Sequence, residues 1–156
     1  MSSIEWETPQ DFFNALDLEF NFTVDACASP DNAKCSHYWT QQDDALDKDW
    51  SNDIVWMNPP YNRDVWKWVR KAYTESLKGA TVVCLIQSKS TDSEMWHKWV
   101  MKASEWRFVR DRLHFKKNGK GARANISSVI VIFRPYFHGD YPIAKAIDTK
   151  GNIIKL

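Results

Sequence analysis

The run Thr81-Val82-Val83-Cys84-Leu85-Ile86 places the tightest limit on the fold. It is uncharged and rich in β-branched residues, and it is apolar at successive positions rather than at every second one. Such a strand has to be buried on both faces, as in the middle of a parallel sheet. Helical patterns flank it. Val65, Val69, Ala72, Tyr73 and Ser76 precede it at helical spacing, and Gly79 is placed to terminate that helix. Beyond it, Asp92 or Ser93 can cap a helix whose Met95, Trp96, Trp99, Val100 and Ala103 share one face.

The same alternation extends in both directions. Thr8-Pro9-Gln10-Asp11 reads as a helix start, with Thr8 as cap, Pro9 in the first position and Asp11 reaching back. Phe12, Phe13 and Leu16 supply its buried side. Phe20, Phe22 and Val24 alternate with polar residues and predict a strand ending at Asp25. A short strand is expected at His37-Tyr38-Trp39, and a buried one at Ile54 to Met57. Trp106 to Val109 and Ile126 to Phe133 complete the set, with a turn at Lys150-Gly151-Asn152 before Ile153-Ile154. Strands alternating with helices imply an α/β sheet with helices on both faces. In such sheets ligands bind at the carboxyl ends of the strands, where both Asp25 and Asn58 fall. One crevice can serve both.

A chain of 156 residues is the size of one domain, read here as 1–156 with a core of about 5–135 and a C-terminal extension over 136–156. Nine Trp, eight Phe and five Tyr exceed what such a core needs, so some rings are expected to line a cleft or stack on a planar ligand. The helix positions Trp66, Trp68, Trp96 and Trp99 read as core. A net charge of +1 excludes a generally basic protein and permits a local basic patch. No apolar run approaches a membrane span, and Met1 to Trp6 lack a signal pattern. Three cysteines, an odd number, argue for free thiols and a cytoplasmic location. Cys27, Cys35 and His37 lack a fourth ligand, so no metal is expected.

The least ordinary stretch is Asn58-Pro59-Pro60-Tyr61, which follows an apolar run directly. Each proline locks its own backbone angle and pushes its predecessor out of the helical region. The result is a stiff elbow with outward carbonyls, an Asn acceptor and a flat Tyr face. That is a receptor for a planar group bearing an NH₂. Amino methylation of a nucleobase needs such a receptor, because the amino lone pair is delocalised into the ring. Two acceptors, Asn58 Oδ1 and the Pro59 carbonyl, can hold both hydrogens and aim the lone pair at an electrophile. A base within a duplex reaches such a pocket only by flipping out, here to stack on Tyr61.

With "WETPQDFF", "FTVDACASPDNAKC", "DDALDKDW", "VWMNPPY", "STDSEMWH" and "RDRLHF" in order, residues 5 to 133 resemble the phage and prophage DNA adenine-N6-methyltransferase family. The resemblance implies a single-domain Rossmann-like methyltransferase fold, with a mostly parallel sheet flanked by helices and an antiparallel C-terminal strand. It implies S-adenosylmethionine as cofactor and DNA, with a flipped adenine, as substrate. Asn58, Pro59 and Tyr61 would hold the adenine, with Pro60 shaping the turn. Thr8 and Pro9 would contact the methionine end of the cofactor with Trp6 nearby, and Asn58 would adjoin it. Asp25, Ala26 and Cys27 would serve its amino and ribose groups, and Asp44 its adenosine part. On the residues alone, Asp43 and Asp44 are an undivided acidic pair. One departure is plain: the broader superfamily has a Gly-rich turn where this chain reads Ala26-Cys27-Ala28-Ser29.

Arg110 and Arg112 lead into a Gly-containing loop bearing Lys116, Lys117, Lys120 and Arg123. These cations can neutralise several phosphates and make binding salt-dependent, and Gly119 and Gly121 would let the loop close over DNA. The alternative is a solvated tip. Short or relaxed target specificity is expected, with dimerisation supplying extra contacts. Other acceptors with a planar amino group, in RNA, cytosine or a protein glutamine, remain open, as does a catalytically inert nucleic-acid-binding relative. A phage or prophage origin would place the chain in the bacterial host cytoplasm.

Overall fold

The computed structural model describes residues 6–117 and 120–155. The opening residues read for a signal pattern, and Gly119, lie outside that range. The chain forms α1 (Gln10–Phe20), β1 (Val24–Asp25), β2 (Ile54–Met57), α2 (Val65–Ser76), β3 (Thr81–Gln87) and α3 (Glu94–Trp99). Then come β4 (Glu105–Val109), β5 (His114–Lys117), β6 (Lys120–Arg123), β7 (Ser128–Phe133), β8 (Ile143–Ile147) and β9 (Ile153–Ile154). A mixed sheet has the order β1-β2-β3-β7-β4-β8-β9, and β5 pairs with β6 in a separate hairpin.

β1, β2 and β3 are parallel neighbours, β7 runs against both β3 and β4, and β8 is parallel to β4. β1, β2, β3, β4 and β8 therefore end on one edge of the sheet, and β7 and β9 point the other way. The expected antiparallel C-terminal strand is the short β9, and β7 is a second antiparallel strand whose direction the sequence did not mark. β7 sits inside the sheet, and the segment after Tyr136 adds β8 and β9 beyond it.

Side-chain alternation sorts the core into two layers. Val55, Met57, Val82, Cys84, Ile86, Val129, Val131 and Phe133 face α2 and α3, where Val69, Ala72 and Trp96 meet them. Trp56, Val83, Leu85, Ile130, Ile132 and Ile147 face α1, which contributes Phe12, Phe13 and Leu16. The middle of β3 is buried on both sides, as its unbroken apolar run requires. Among the described residues no helix is long and apolar enough to cross a membrane.

Two local expectations fail for identifiable reasons. Thr8 does not cap α1: Pro9 holds the cap position without a side-chain hydrogen bond, and Asp11 turns to the adjacent Phe12 N–H instead. The alternation through Phe20 and Phe22 is not a strand. α1 runs to Phe20 and ends on Asn21 in the left-handed region, with the Phe22 N–H held by the Asp17 side chain. Phe13, Phe20 and Phe22 stack on one another instead, so ring packing imitated a strand's period.

Candidate functional site

Four segments converge where β1, β2 and β3 end. Asn58 follows β2 and is only 9% exposed. Its Nδ2 donates to Thr8 Oγ1 at 3.1 Å, and its Oδ1 accepts the Tyr61 hydroxyl at 2.6 Å. The hydroxyl expected to cap α1 thus orients the Asn58 amide. Tyr61 donation occupies one of the two lone pairs on Oδ1 and leaves the other. No donor among the described residues is recorded on the Pro59 carbonyl, and neither proline has an N–H to offer. Two acceptors therefore stay available at the elbow. The Tyr61 ring meets Phe115 of β5 edge-on, with centroids 6.1 Å apart. Burial pushes the Tyr61 hydroxyl pKa well above the ordinary phenol value, so it remains a donor.

Asp25 ends β1 and is 3% exposed. Burial raises its pKa from 3.8 to about 6, against the opposing pull of the Lys34 and Cys27 N–H groups that its two oxygens accept at 3.0 and 3.2 Å. A small gap joins Asp25 to Trp6, Thr8, Cys27 and Asn58. Its volume of about 10 Å³ is that of a water-sized group. Lys34 closes one side, donating to Glu7 at 3.1 Å and Gln10 at 2.9 Å.

A larger cavity of about 270 Å³ opens beside it, lined by Ala26, Cys27, Asp44, Leu46, Pro60 and Trp68 among others. The missing glycines are explained here. Ala26 and Cys27 bury their small side chains in the core cluster while still lining the cavity. The acidic pair divides: Asp43 Oδ2 accepts the Thr40 N–H at 2.7 Å and the Thr40 hydroxyl at 2.9 Å, whereas Asp44, left-handed at φ 52°, lines the cavity. Trp68 stacks on Trp50, which stacks on Trp39, at 6.5 and 6.0 Å.

The wall carrying Asp44 is braced by a carboxylate the sequence did not single out. Glu75, fully buried on α2, accepts the Trp50 N–H at 3.1 Å and Lys71 Nζ at 2.7 Å. Lys78 Nζ stands 3.1 Å from its other oxygen.

On the opposite side of the elbow, a cavity of about 240 Å³ is lined by Trp6, Tyr61, Gln87, Phe115, Arg123 and Asn125 among others. Gln87 ends β3, so the rule that singles out Asp25 and Asn58 applies to it equally. The basic loop is not a loop but the β5–β6 hairpin, tied to the N-terminal segment by paired backbone hydrogen bonds between Glu7 and Lys116. Arg112, Lys116 and Arg123 line one open cleft of about 600 Å³, together with Pro9, Asp11 and Asp111. Arg112 also donates to the Asn125 carbonyl. Lys120 is exposed on β6 and Lys117 is half-buried. Arg110 is not brought to this cleft; it is exposed at the end of β4 and acts on Asp148. Cys27 and Cys84 are buried and Cys35 half-buried, all free. Burial pushes the Cys35 thiol up to about 12.

The sequence model of the family described as DNA N-6-adenine-methyltransferase (Dam) matches residues 3–152. The chain is 27% identical over 136 residues to the DNA N-6-adenine-methyltransferase of Haemophilus phage HP1 (strain HP1c1), covering 83% of this chain and 78% of the relative. It is 35% identical over 60 residues to the DNA N-6-adenine-methyltransferase of Escherichia phage T1, covering 37% of this chain and 25% of that protein.

Proposed function

The chain belongs to the DNA N-6-adenine-methyltransferase (Dam) family, and from that premise we propose that it transfers a methyl group from S-adenosylmethionine to the N6 amino group of adenine in DNA. The observation that carries this reading is the elbow: Asn58, pinned between Thr8 and Tyr61, lines the gap beside Asp25, while its partner Tyr61 lines the 240 Å³ cavity. The co-directional ends of β1, β2 and β3 support a Rossmann-like arrangement within a single domain.

The donor set fits S-adenosylmethionine. Asp44, which lines the 270 Å³ cavity, would hold the adenosine part, and Asp25, which lines the water-sized gap, would serve the amino group. Ala26, Cys27, Pro60 and Trp68 would wall the adenosine part, and Thr8, with Trp6, would border the methionine end, whereas Pro9 lines the cleft of Arg112 and Lys116 instead. Bound S-adenosylmethionine supplies an electrophilic methyl carbon. Everything else is positioning by the chain. The flipped adenine enters the 240 Å³ cavity that Tyr61 and Phe115 line, and stacks on Tyr61. The spare lone pair of Asn58 Oδ1 and the Pro59 carbonyl accept the two amino hydrogens. The nitrogen is drawn towards tetrahedral geometry and its lone pair leaves the ring's conjugation. No strong base is required: as the N–C bond forms and the sulfonium S–C bond breaks to leave a neutral thioether, the nitrogen becomes acidic and gives its proton to water. Arg112, Lys116, Lys120 and Arg123 hold phosphates on the hairpin side.

Mixed-sequence DNA, RNA and a protein extract are each incubated with the chain and S-adenosylmethionine, then hydrolysed for mass spectrometry. The expected product is N6-methyldeoxyadenosine, in the DNA alone. Methylcytosine, methylated RNA adenine, methylglutamine or no product contradicts the reading.

A further inference from the structure

Tyr61 lines more than the cavity assigned to adenine. A second cavity of about 200 Å³ is lined by Tyr61, Arg63, Trp66, Ile86, Gln87 and Lys89 among others. Tyr61 and Gln87 are common to both cavities. Its lining contains no carboxylate, in contrast to the cavity that holds Asp44 and Asp64. Arg63 and Lys89 are exposed, and neither has an acidic partner among the described residues. The neighbouring cations are occupied: Lys67 pairs with Asp64 at 3.2 Å and Arg70 lies over the Trp99 ring. Trp66 is half-buried against the core and presents a ring to the cavity, whose floor is apolar through Ile86 and Val65.

Two unpaired cations favour an anion, and an aromatic wall over an apolar floor favours a planar ring. A nucleotide combines both. We propose that this cavity holds the nucleotide next to the target adenine: its base on Trp66, its phosphate on Arg63 and Lys89, and Tyr61 dividing it from the flipped base. The proposal rests on the reading of the elbow as an adenine site. It extends the contact with DNA beyond the hairpin, across the elbow to the start of α2 and the end of β3. Gln87, reachable from both cavities, becomes the side chain that senses the two bases together.

The test measures equilibrium binding to duplex DNA, which needs no turnover. The Arg63→Ala/Lys89→Ala double variant is expected to lower the slope of log K against log salt by about 1.8, from two lost phosphate contacts at about 0.9 each. It should raise KM for DNA more than it lowers kcat, with binding of S-adenosylmethionine unchanged. In the second arm, an abasic residue replaces each neighbour of the modified adenine in turn. One replacement should weaken wild-type binding by about tenfold and leave the Trp66→Leu variant, which keeps an apolar side chain in the core, insensitive to it. An unchanged salt slope in the double variant overturns the proposal, as does an abasic penalty equal in wild type and Trp66→Leu. A wild type that binds DNA but methylates no adenine refutes the elbow reading separately, while the salt arm still decides the cation pair.

Discussion

A carboxyl buried at the end of β1 is costly while ionised, and Asp25 has a pKa of about 6 against 3.8 for the free group. The sign follows directly. The folded state binds this proton more tightly than the unfolded chain does, so its stabilising contribution is present below about pH 4 and is lost as pH rises through 6. The difference of about two pKa units corresponds to roughly 2–3 kcal/mol. Between pH 7 and 5, urea unfolding should therefore give wild type a gain that Asp25→Asn lacks; equal pH profiles would remove the basis for this assignment. On the proposed role of Asp25, binding of S-adenosylmethionine should move the opposite way, weakening below pH 6 as that carboxylate is protonated. Asn58 stood out in the sequence because the prolines isolate it. Its clamp was not, because Thr8 stands fifty positions away and carried a plausible local role as helix cap.

At the scale of elements, the strongly periodic segments were readable and the weakly patterned ones were not. β3 and α2 appear where the apolar run and the helical spacing place them. β8 did not announce itself, since Ile143, Ala144 and Lys145 are all exposed and show no alternation; its strand character comes from pairing with β4. The hairpin was hidden similarly, because only Phe115 of β5 is buried. Its pairing sets Lys116 and Arg123 along one open cleft, both exposed. Replacing Lys116 and Lys120 with Ala should lower the salt slope of DNA binding by between about 1 and 2. Filter binding across a salt series would show it, and an unaltered slope would return these lysines to a solubilising role.

Across the whole molecule, the C-terminal turn closes onto α1, and that contact depends on one glycine. Gly151 has φ +85°, and a Cβ there would lie 2.8 Å from the Phe12 carbonyl and 2.7 Å from Ala15 Cβ. Asp148 holds the turn through the Lys150 and Asn152 N–H groups at 2.9 and 3.0 Å. The sequence marks the turn but not what it touches, since a turn signal says nothing about a partner 136 residues away. Gly151→Ala is expected to cost about 2–4 kcal/mol, from left-handed strain plus overpacking. Denaturant midpoints would register it, and a neutral substitution would mean that the tail is not sealed against α1. The central claim concerns the elbow, and Asn58→Ala tests it most directly through single-turnover methylation of DNA alongside calorimetric binding of S-adenosylmethionine. The account predicts a rate lower by about 10²–10³-fold, with cofactor affinity and circular dichroism near those of wild type. A folded variant that methylates adenine at the wild-type rate would contradict it.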